Sequence, residues 1–257
     1  MTQTKLSVVG PYGRLGSRIC ALSAQEDSLS LSSGLIRASE KQSVIDGVTY
    51  TGDVTHALSL ADVMVDVSAP SACLDILPAC ITQQIAYVCG STGLNEEQIS
   101  ALEKAAGEIP VLVASNFSIG VNVLRKIVEE AGRLLDKSFE PEIFEIHHGK
   151  KRDAPSGTAM ALGEDVKKSR TDLIDVFDRS EKREERGAQE LGYAALRGGD
   201  VAGEHTVFFF GEAERLELTH RATSRDIFAR GALRAASFLY GKAPGLYSMQ
   251  DVLGIQA

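Results

Sequence analysis

The chain has 257 residues, of which 44% are hydrophobic and 24% charged, with a mean hydropathy of −0.04. These are globular values for a chain long enough to hold two small domains, and they exclude a disordered chain or a coiled-coil rod. A net charge of −8 and a pI of about 5.2 argue against a nucleic-acid partner, and no apolar run reaches the ~18–20 residues that cross a bilayer.

The N-terminus, Met1-Thr-Gln-Thr-Lys, runs at once into a strand-like segment, which leaves no room for a signal peptide and predicts a soluble, cytoplasmic protein. Lys5–Val9 reads as a strand ending in Gly10, followed by a helix in which Leu15, Ile19 and Leu22 recur at i, i+4 and i+7. Leu29–Leu35, Val63–Val67, Ile85–Cys89 and Val111–Ala114 read as further strands, with a helix near Asn95–Ala106. Strands separated by helices of this length predict βαβ units, hence an α/β chain with a Rossmann-type, doubly wound parallel sheet. The cysteines Cys20, Cys73, Cys80 and Cys89 contain no C-x-x-C pair and read as reduced packing thiols.

Between the first strand and its helix lies Gly10-Pro11-Tyr12-Gly13-Arg14-Leu15-Gly16, a G-x-x-G-x-x-G turn. Glycines there let the backbone approach a pyrophosphate, and the helix N-terminus adds free N–H groups and partial positive charge. NAD enzymes usually carry an acidic residue at the end of the second strand, but here that strand ends Gly34-Leu35-Ile36-Arg37. An arginine suits the 2′-phosphate of NADP, so Arg37, assisted by Arg14, predicts a preference for NADPH. Two further turns, Ser68-Ala-Pro70 and Gly90-Ser91-Thr92-Gly93, follow strands of the same sheet and are candidates to line the ligand crevice.

A long amphipathic helix carries Val121, Leu124, Val128, Ala131 and Leu135 on one stripe, and after it the pattern changes. Glu142–His148 is strand-like, a helix is expected from about Gly157 to Lys168, and the charged stretch 167–186 reads as a solvated excursion. Gly192–Arg197, Glu204–Phe210 and Arg215–Arg221 read as strands, the last two joined hairpin-fashion, with Leu216, Leu218 and His220 on one packed face. These segments predict an α+β second domain with a mixed sheet. A final helix near Asp226–Tyr240, carrying Ile227, Phe228, Ala232 and Leu233, is expected to return to the first domain. The expected layout is a discontinuous nucleotide domain, 1–117 with 227–257, and an inserted substrate and oligomerisation domain, 118–226.

The densest chemistry lies in Glu145-Ile-His147-His148-Gly-Lys150-Lys151-Arg152-Asp153-Ala-Pro155-Ser156-Gly157-Thr158-Ala159. Ser156 reads as an N-cap, the N–H groups beyond it form an anion site, and the cations beside it make a basic pocket in an acidic protein. A small dicarboxylate or phosphate is the natural guest. If the strand persists, His147 and His148 point to opposite faces, so only one serves as the acid at a given substrate atom. No third ligand stands at metal spacing, and no metal is expected.

The run His147-His-x-x-Lys151-x-Asp153-Ala-Pro-Ser-Gly-Thr-Ala159 resembles the signature of the 4-hydroxy-tetrahydrodipicolinate reductase (dihydrodipicolinate reductase) family. The likeness continues in the Gly13-Arg-Leu-Gly16 turn, Gly90-Ser-Thr-Gly93, Ser115-Asn-Phe-Ser-Ile-Gly-Val-Asn122 and Arg197-Gly-Gly-Asp-Val-Ala-Gly-Glu-His205. Arg215 to His220, Ser224-Arg225 and Gly245 to Leu253 match as well. The resemblance implies an NAD(P)H-dependent oxidoreductase of diaminopimelate and lysine biosynthesis, typically a homotetramer acting on a cyclic dicarboxylate. It implies His147 as the acid–base residue, Lys151 as a proton donor, and His148, Gly157 and Thr158 as carboxylate binders. Cofactor contacts are implied for Gly10, Pro11, Tyr12, Gly13, Arg14, Leu15, Arg37, Gly90, Ser91, Thr92, Ala114, Ser115, Asn116, Phe117 and Arg225. Pro11-Tyr12, Ile36 and the Val67–Pro70 turn depart from the family pattern, and all three bear on the cofactor site. A different dehydrogenase for another small acid and a non-enzymatic NADP sensor are the competing readings. The complete His/Lys set argues against the sensor.

Overall fold

The computed structural model describes residues 3–180 and 184–255. In chain order the elements are β1 (Thr4–Val9), α1 (Arg14–Ser23), β2 (Leu29–Leu35), β3 (Ser43–Ile45), β4 (Val48–Thr51), α2 (Val54–Ser59) and β5 (Val63–Asp66). Then come α3 (Ala72–Gln83), β6 (Ala86–Cys89), α4 (Glu96–Ala106), β7 (Pro110–Val113), α5 (Ile119–Leu134), β8 (Glu140–His147) and α6 (Gly157–Lys167). The chain closes with β9 (Ile174–Val176), β10 (Glu190–Arg197), β11 (Glu204–Gly211), β12 (Glu214–Arg221), α7 (Asp226–Leu239), β13 (Gly245–Tyr247) and α8 (Met249–Leu253). It divides into two compact units, Met1–Ile119 with Asp226–Ala257, and Gly120–Arg225.

The first unit is built on an eight-stranded sheet in the order β13-β7-β6-β5-β1-β2-β4-β3. All of its pairs are parallel except β3 with β4. Helices cover both faces, so β5 and β6 are buried at every position and read as unbroken apolar runs closed by Asp66 and Cys89. On one face, Leu6, Val8, Val65 and Val88 pack with Ile19 of α1 and with Ala232, Leu233 and Leu239 of α7. On the other, Val9, Met64 and Tyr87 pack with Ile76 and Leu77 of α3 and Leu102 of α4. Asn95 opens α4 with a reciprocal capping box to Gln98. The Arg18 guanidinium grips the Asp226 carboxylate at 2.7 and 2.8 Å, fixing the start of α7 beside α1.

The second unit carries a five-stranded sheet in the order β12-β11-β8-β10-β9. Here β10 runs parallel to both β8 and β9, while β11 is antiparallel to both β8 and β12. Ile143, Leu191, Val207 and Phe209 pack beneath Leu124 and Val128 of α5 and Leu162 and Val166 of α6. An α/β chain with a parallel Rossmann-type sheet and a second mixed sheet is thus what the structure contains.

Several local expectations need correction. The stretch 167–186 is not simply solvated, because Ile174–Val176 adds a parallel edge strand to β10. Arg179 pairs with Glu142 and Glu190, and Arg186 with Glu140 and Glu142; residues 181–183 lie outside the described set. β12 lacks a packed face at Leu216, which is 38% exposed, because it is the sheet's edge. In α7 the buried positions are Ala229, Gly231, Ala232, Leu233, Ala235, Ala236 and Leu239, with Ile227 and Phe228 only half-buried.

Candidate active site

Two groups of residues are candidates to carry the chemistry, one in each unit. In the first, β1 lies between β2 and β5, so the sheet order reverses at the carboxyl end of β1, the position where open α/β sheets bind ligands. Gly10 turns the chain there with φ +74°, a left-handed conformation that L side chains rarely adopt. The Gly13 N–H closes the turn on the Gly10 carbonyl at 2.9 Å. Gly16 then packs so tightly that a Cβ on it would stand 2.1 Å from the Gly10 oxygen. Gly13 is the N-cap of α1 and offers no side-chain cap, so the helix start is open to an anion.

A cleft of about 610 Å³ opens over this turn, lined among others by Tyr12, Arg37, Glu40, Ser68 and Asp75. Tyr12 stacks on Tyr50, with ring centres 5.6 Å apart and planes at 16°. The Ser68 wall is held from below by Asp66, a fully buried carboxylate. Asp66 accepts the Ser68 N–H (2.9 Å), the Ser68 O–H (2.6 Å) and the Tyr87 O–H (2.6 Å). Beyond the cleft, after β6, a Cβ at Gly90 would come within 2.5 Å of the Phe117 ring, and the buried Ser91 Oγ has no hydrogen-bond partner. The open helix start, the concave crevice and this unsatisfied hydroxyl suit a dinucleotide.

In the second unit, β8 delivers Glu145 and His147 to one face, since residues two apart on a strand point the same way. The Glu145 carboxylate, 1% exposed, receives Nη1 and Nη2 of Arg197 at 2.8 and 2.7 Å, the Ser156 N–H at 3.0 Å and Nδ1 of His147 at 2.5 Å. Burial pushes the Glu145 carboxyl up, but the bonds from Arg197 and His147 outweigh it and hold the group below the usual carboxylate range. Burial, with Lys151 and Arg197 adding to it, holds the His147 imidazole below its ordinary value against the pull of Glu145. A Cβ at Gly203 would sit 2.9 Å from Nε2 of His147, so only glycine leaves room there. Lys151 Nζ lies 2.9 and 2.8 Å from the Asp153 oxygens, and Arg197 Nη2 donates to the Asp153 carbonyl at 2.6 Å. The Ala154–Pro155 bond is cis. Ser156 then caps α6, its Oγ accepting the Ala159 N–H at 3.1 Å, and Gly157 opens onto empty space. Acid–base groups, a cation and a helix N-terminus therefore converge within one β8–loop–α6 segment.

Family models described as the N-terminus and C-terminus of dihydrodipicolinate reductase match residues 4–117 and 120–253. A 4-hydroxy-tetrahydrodipicolinate reductase of Syntrophotalea carbinolica is 42% identical over 98% of this chain and 99% of its own. That of Geobacter sulfurreducens is 40% identical over 98% and 100%. The chain belongs to the 4-hydroxy-tetrahydrodipicolinate reductase family. It is an oxidoreductase with a Rossmann-type nucleotide domain. Among solved structures, the dipicolinate-bound dihydrodipicolinate reductase of Paenisporosarcina sp. TG-14 shares the fold with a TM-score of 0.81 at 20% identity, over 97% of this chain and 99% of its own. A Corynebacterium glutamicum DAP dehydrogenase in complex with DAP shares it at a TM-score of 0.59 and 15% identity, over 100% and 97%.

Within this reductase framework, the structure sorts the residues singled out from sequence. Gly10, Pro11, Tyr12, Gly13 and Arg37 line the cleft. Arg14 and Leu15 open α1 just beyond it, and Leu15 packs against the core, so only its backbone can face a nucleotide. Gly90, Ser91 and Thr92 follow β6, and Ala114, Ser115, Asn116 and Phe117 follow β7, all at the carboxyl edge of the sheet. Phe117 is 3% exposed and packed on Gly90 and Gly231, which leaves its backbone as the part that can contact a ligand. Arg225 stands after β12, in the second unit. His148 does not share the strand with His147, because β8 ends at His147; its Nδ1 accepts the Lys150 N–H at 3.2 Å instead. Sequence reasoning missed Glu40, whose carboxylate accepts the Arg37 N–H at 2.8 Å on the rim of the cleft. It also missed the partners of His147: Glu145 and Arg197 both stood inside quoted motifs, but no spacing rule joins residues 52 apart.

Proposed function

We propose that the protein reduces 4-hydroxy-tetrahydrodipicolinate (dihydrodipicolinate) to tetrahydrodipicolinate with NAD(P)H, in diaminopimelate and lysine biosynthesis. The observation that carries this reading is the β8–loop–α6 segment, where a Glu145-bonded His147, Lys151 and the α6 N-terminus stand together. When bound, the reduced nicotinamide supplies a hydride. The first unit's share is to seat the dinucleotide, with the pyrophosphate at Gly10–Leu15 and the remainder along Arg37, Gly90–Thr92 and Ala114–Phe117. Arg37 favours the 2′-phosphate of NADPH over NADH.

In the second unit, the substrate's carboxylates lie against His148 and the amides of Gly157 and Thr158, where helix-end N–H groups and nearby cations stabilise anions. Hydride addition to a C=N unit builds charge that a proton must quench. His147 acts as the acid–base residue, and Lys151, held by Asp153, both meets the substrate's negative charge and donates a proton. Seated in a basic pocket, a small dicarboxylate is the guest; nucleic acid is not. The family resemblance supports a cytoplasmic homotetramer.

The test is steady-state turnover with substrate generated in situ by a coupled synthase, followed as loss of nicotinamide absorbance. Replacing His147 by Gln, or Lys151 by Ala, is expected to lower kcat by roughly 10²- to 10⁴-fold. Cofactor affinity, read by nicotinamide fluorescence, is expected to stay unchanged. Near-normal turnover in either variant overturns the assignment.

A further inference from the structure

Resting on the reading just given, the geometry points to Glu145, locked by Arg197, as the positioning residue that fixes the proton of His147 and ties its ring to the start of α6 and to the Lys151 loop. The carboxylate is 1% exposed, and besides the Arg197 guanidinium it bonds, among the described residues, only His147 and the start of α6. Oε2 faces Nδ1 of His147 at 2.5 Å, and Oε1 accepts the N–H of Ser156, the N-cap of α6, at 3.0 Å. An ionised carboxylate only accepts hydrogen bonds. With Arg197 gripping both oxygens, Glu145 stays ionised, so Nδ1 of His147 must carry the proton and Nε2 becomes the basic atom. The same guanidinium donates to the Asp153 carbonyl at 2.6 Å, which anchors the loop whose Asp153 side chain holds Lys151. One ion pair, its carboxylate buried, therefore sets the register of the ring, the amine and the helix start, the parts that must meet a single substrate.

The charged and titratable groups around His147 come from four places. They are Glu145 on its own strand, Arg197 on β10, His205 on β11 with ring centres 5.1 Å apart, and Lys151 on the following loop. Of these, Glu145 alone favours the imidazolium, while Arg197 and Lys151 oppose it. Removing the carboxylate's charge should therefore push the His147 titration to lower pH.

The experiment is NMR of the full-length protein with isotopically labelled histidine, the His147 resonances being assigned by their loss in H147Q. The native protein is expected to show the Nδ1–H tautomer at pH 7. In E145Q the titration midpoint should fall by about one pH unit and the tautomer preference should weaken. In the same variant kcat should drop at least about tenfold, with the acid limb of its pH profile moving in the same direction and nucleotide affinity unchanged. E145Q leaves the half-buried Arg197 without its partner and can fail to fold; E145Q/R197M removes both charges, whose effects on the His147 titration oppose each other, so there the tautomer is the deciding readout. A folded variant whose His147 titration and tautomer match the native protein overturns the proposal and makes the pair a fold stabiliser. The NMR readout needs no substrate, so a native protein without reductase turnover would sink the functional reading separately.

Discussion

His205 shows what burial does to a single side chain beside the site. It is 3% exposed, its Nε2 lies 2.9 Å from Ser156 Oγ, and its Nδ1 has no hydrogen-bond partner. Burial above all, with His147 adding to it, pulls its pKa down to about 3. The unfolded chain, with an ordinary histidine near 6.5, binds the extra proton between pH 6.5 and about 3, whereas the folded chain does not. The stabilising contribution of a neutral His205 is therefore fully present above pH 6.5 and is lost as pH falls through that window, with a limiting slope of about 1.4 kcal/mol per pH unit. Urea unfolding between pH 4.5 and 7 should show a shallower acid loss in H205Q than in the native chain; equal slopes would exclude this origin. At the cofactor rim, Arg37 and Glu40 have opposed charges on one short turn. A carboxylate there repels a 2′-phosphate and accepts a ribose hydroxyl, while the guanidinium does the reverse. E40Q should therefore tighten NADPH relative to NADH by about tenfold, and R37Q should weaken NADPH by a similar factor, both read as Kd from nicotinamide fluorescence. Tighter NADH binding in E40Q would refute the assignment of the carboxylate.

At the scale of elements, the β1–turn–α1 joint leaves no room for a side chain at Gly16. Alanine at Gly16 would put Cβ 2.1 Å from the Gly10 carbonyl oxygen, and that oxygen is backbone already engaged by the Gly13 N–H. Helix α1 must then shift off the turn, at a cost of roughly 1–3 kcal/mol. G16A should lose at least tenfold in nucleotide affinity while the pH titration of His147 in the other unit stays in place; native affinity in G16A would show that the turn tolerates the shift. This joint was readable from sequence because glycine spacing, strand end and helix start are contiguous. The central strands were readable too: β5, β6 and β7 are short, mostly apolar runs, as strands covered on both faces must be, while β1 and β2 carry their leucines and valines among serines. The edges were not. β3 and β4 are three and four residues long, largely exposed or half-exposed, and β13 is only Gly245-Leu-Tyr247, so none has enough buried positions to impose a period. The same logic divides the site. The His147–Thr158 cluster is continuous in the chain and announced itself. The grip of Arg197 on Glu145 depends on β8 and β10 pairing in parallel, with Arg197 opposite His147, a register no local pattern encodes.

For the whole molecule, the division of the cores sets how the two chemistries can fail. Leu6, Val8, Ile19, Leu233 and their neighbours, and the cluster around Met64 and Tyr87 on the opposite face of the same sheet, belong entirely to the first unit. Leu124, Ile143, Leu162 and Phe209 belong entirely to the second. Among the described residues no buried cluster shares a residue between the units, although α7 is separated from the rest of its unit by the whole inserted segment. Folding of the first unit therefore depends on a helix synthesised after the second unit is complete. Truncating Leu233, 1% exposed among Ala232, Ala236 and the β-strand aliphatics, removes buried apolar volume that the sheet cannot close over, at a cost of roughly 2–4 kcal/mol. Sites without shared partners add independently, so L233A should speed amide exchange in β1, β5 and β6 and leave β8, β10 and β11 as protected as before. The reciprocal I143A, at a position 2% exposed in the second unit, should reverse the pattern. Exchange mass spectrometry reads both variants in the intact chain. Loss of protection across both units in either variant would mean that the chain unfolds as one cooperative block, so that a core defect in the nucleotide unit would also release the Glu145–His147 geometry.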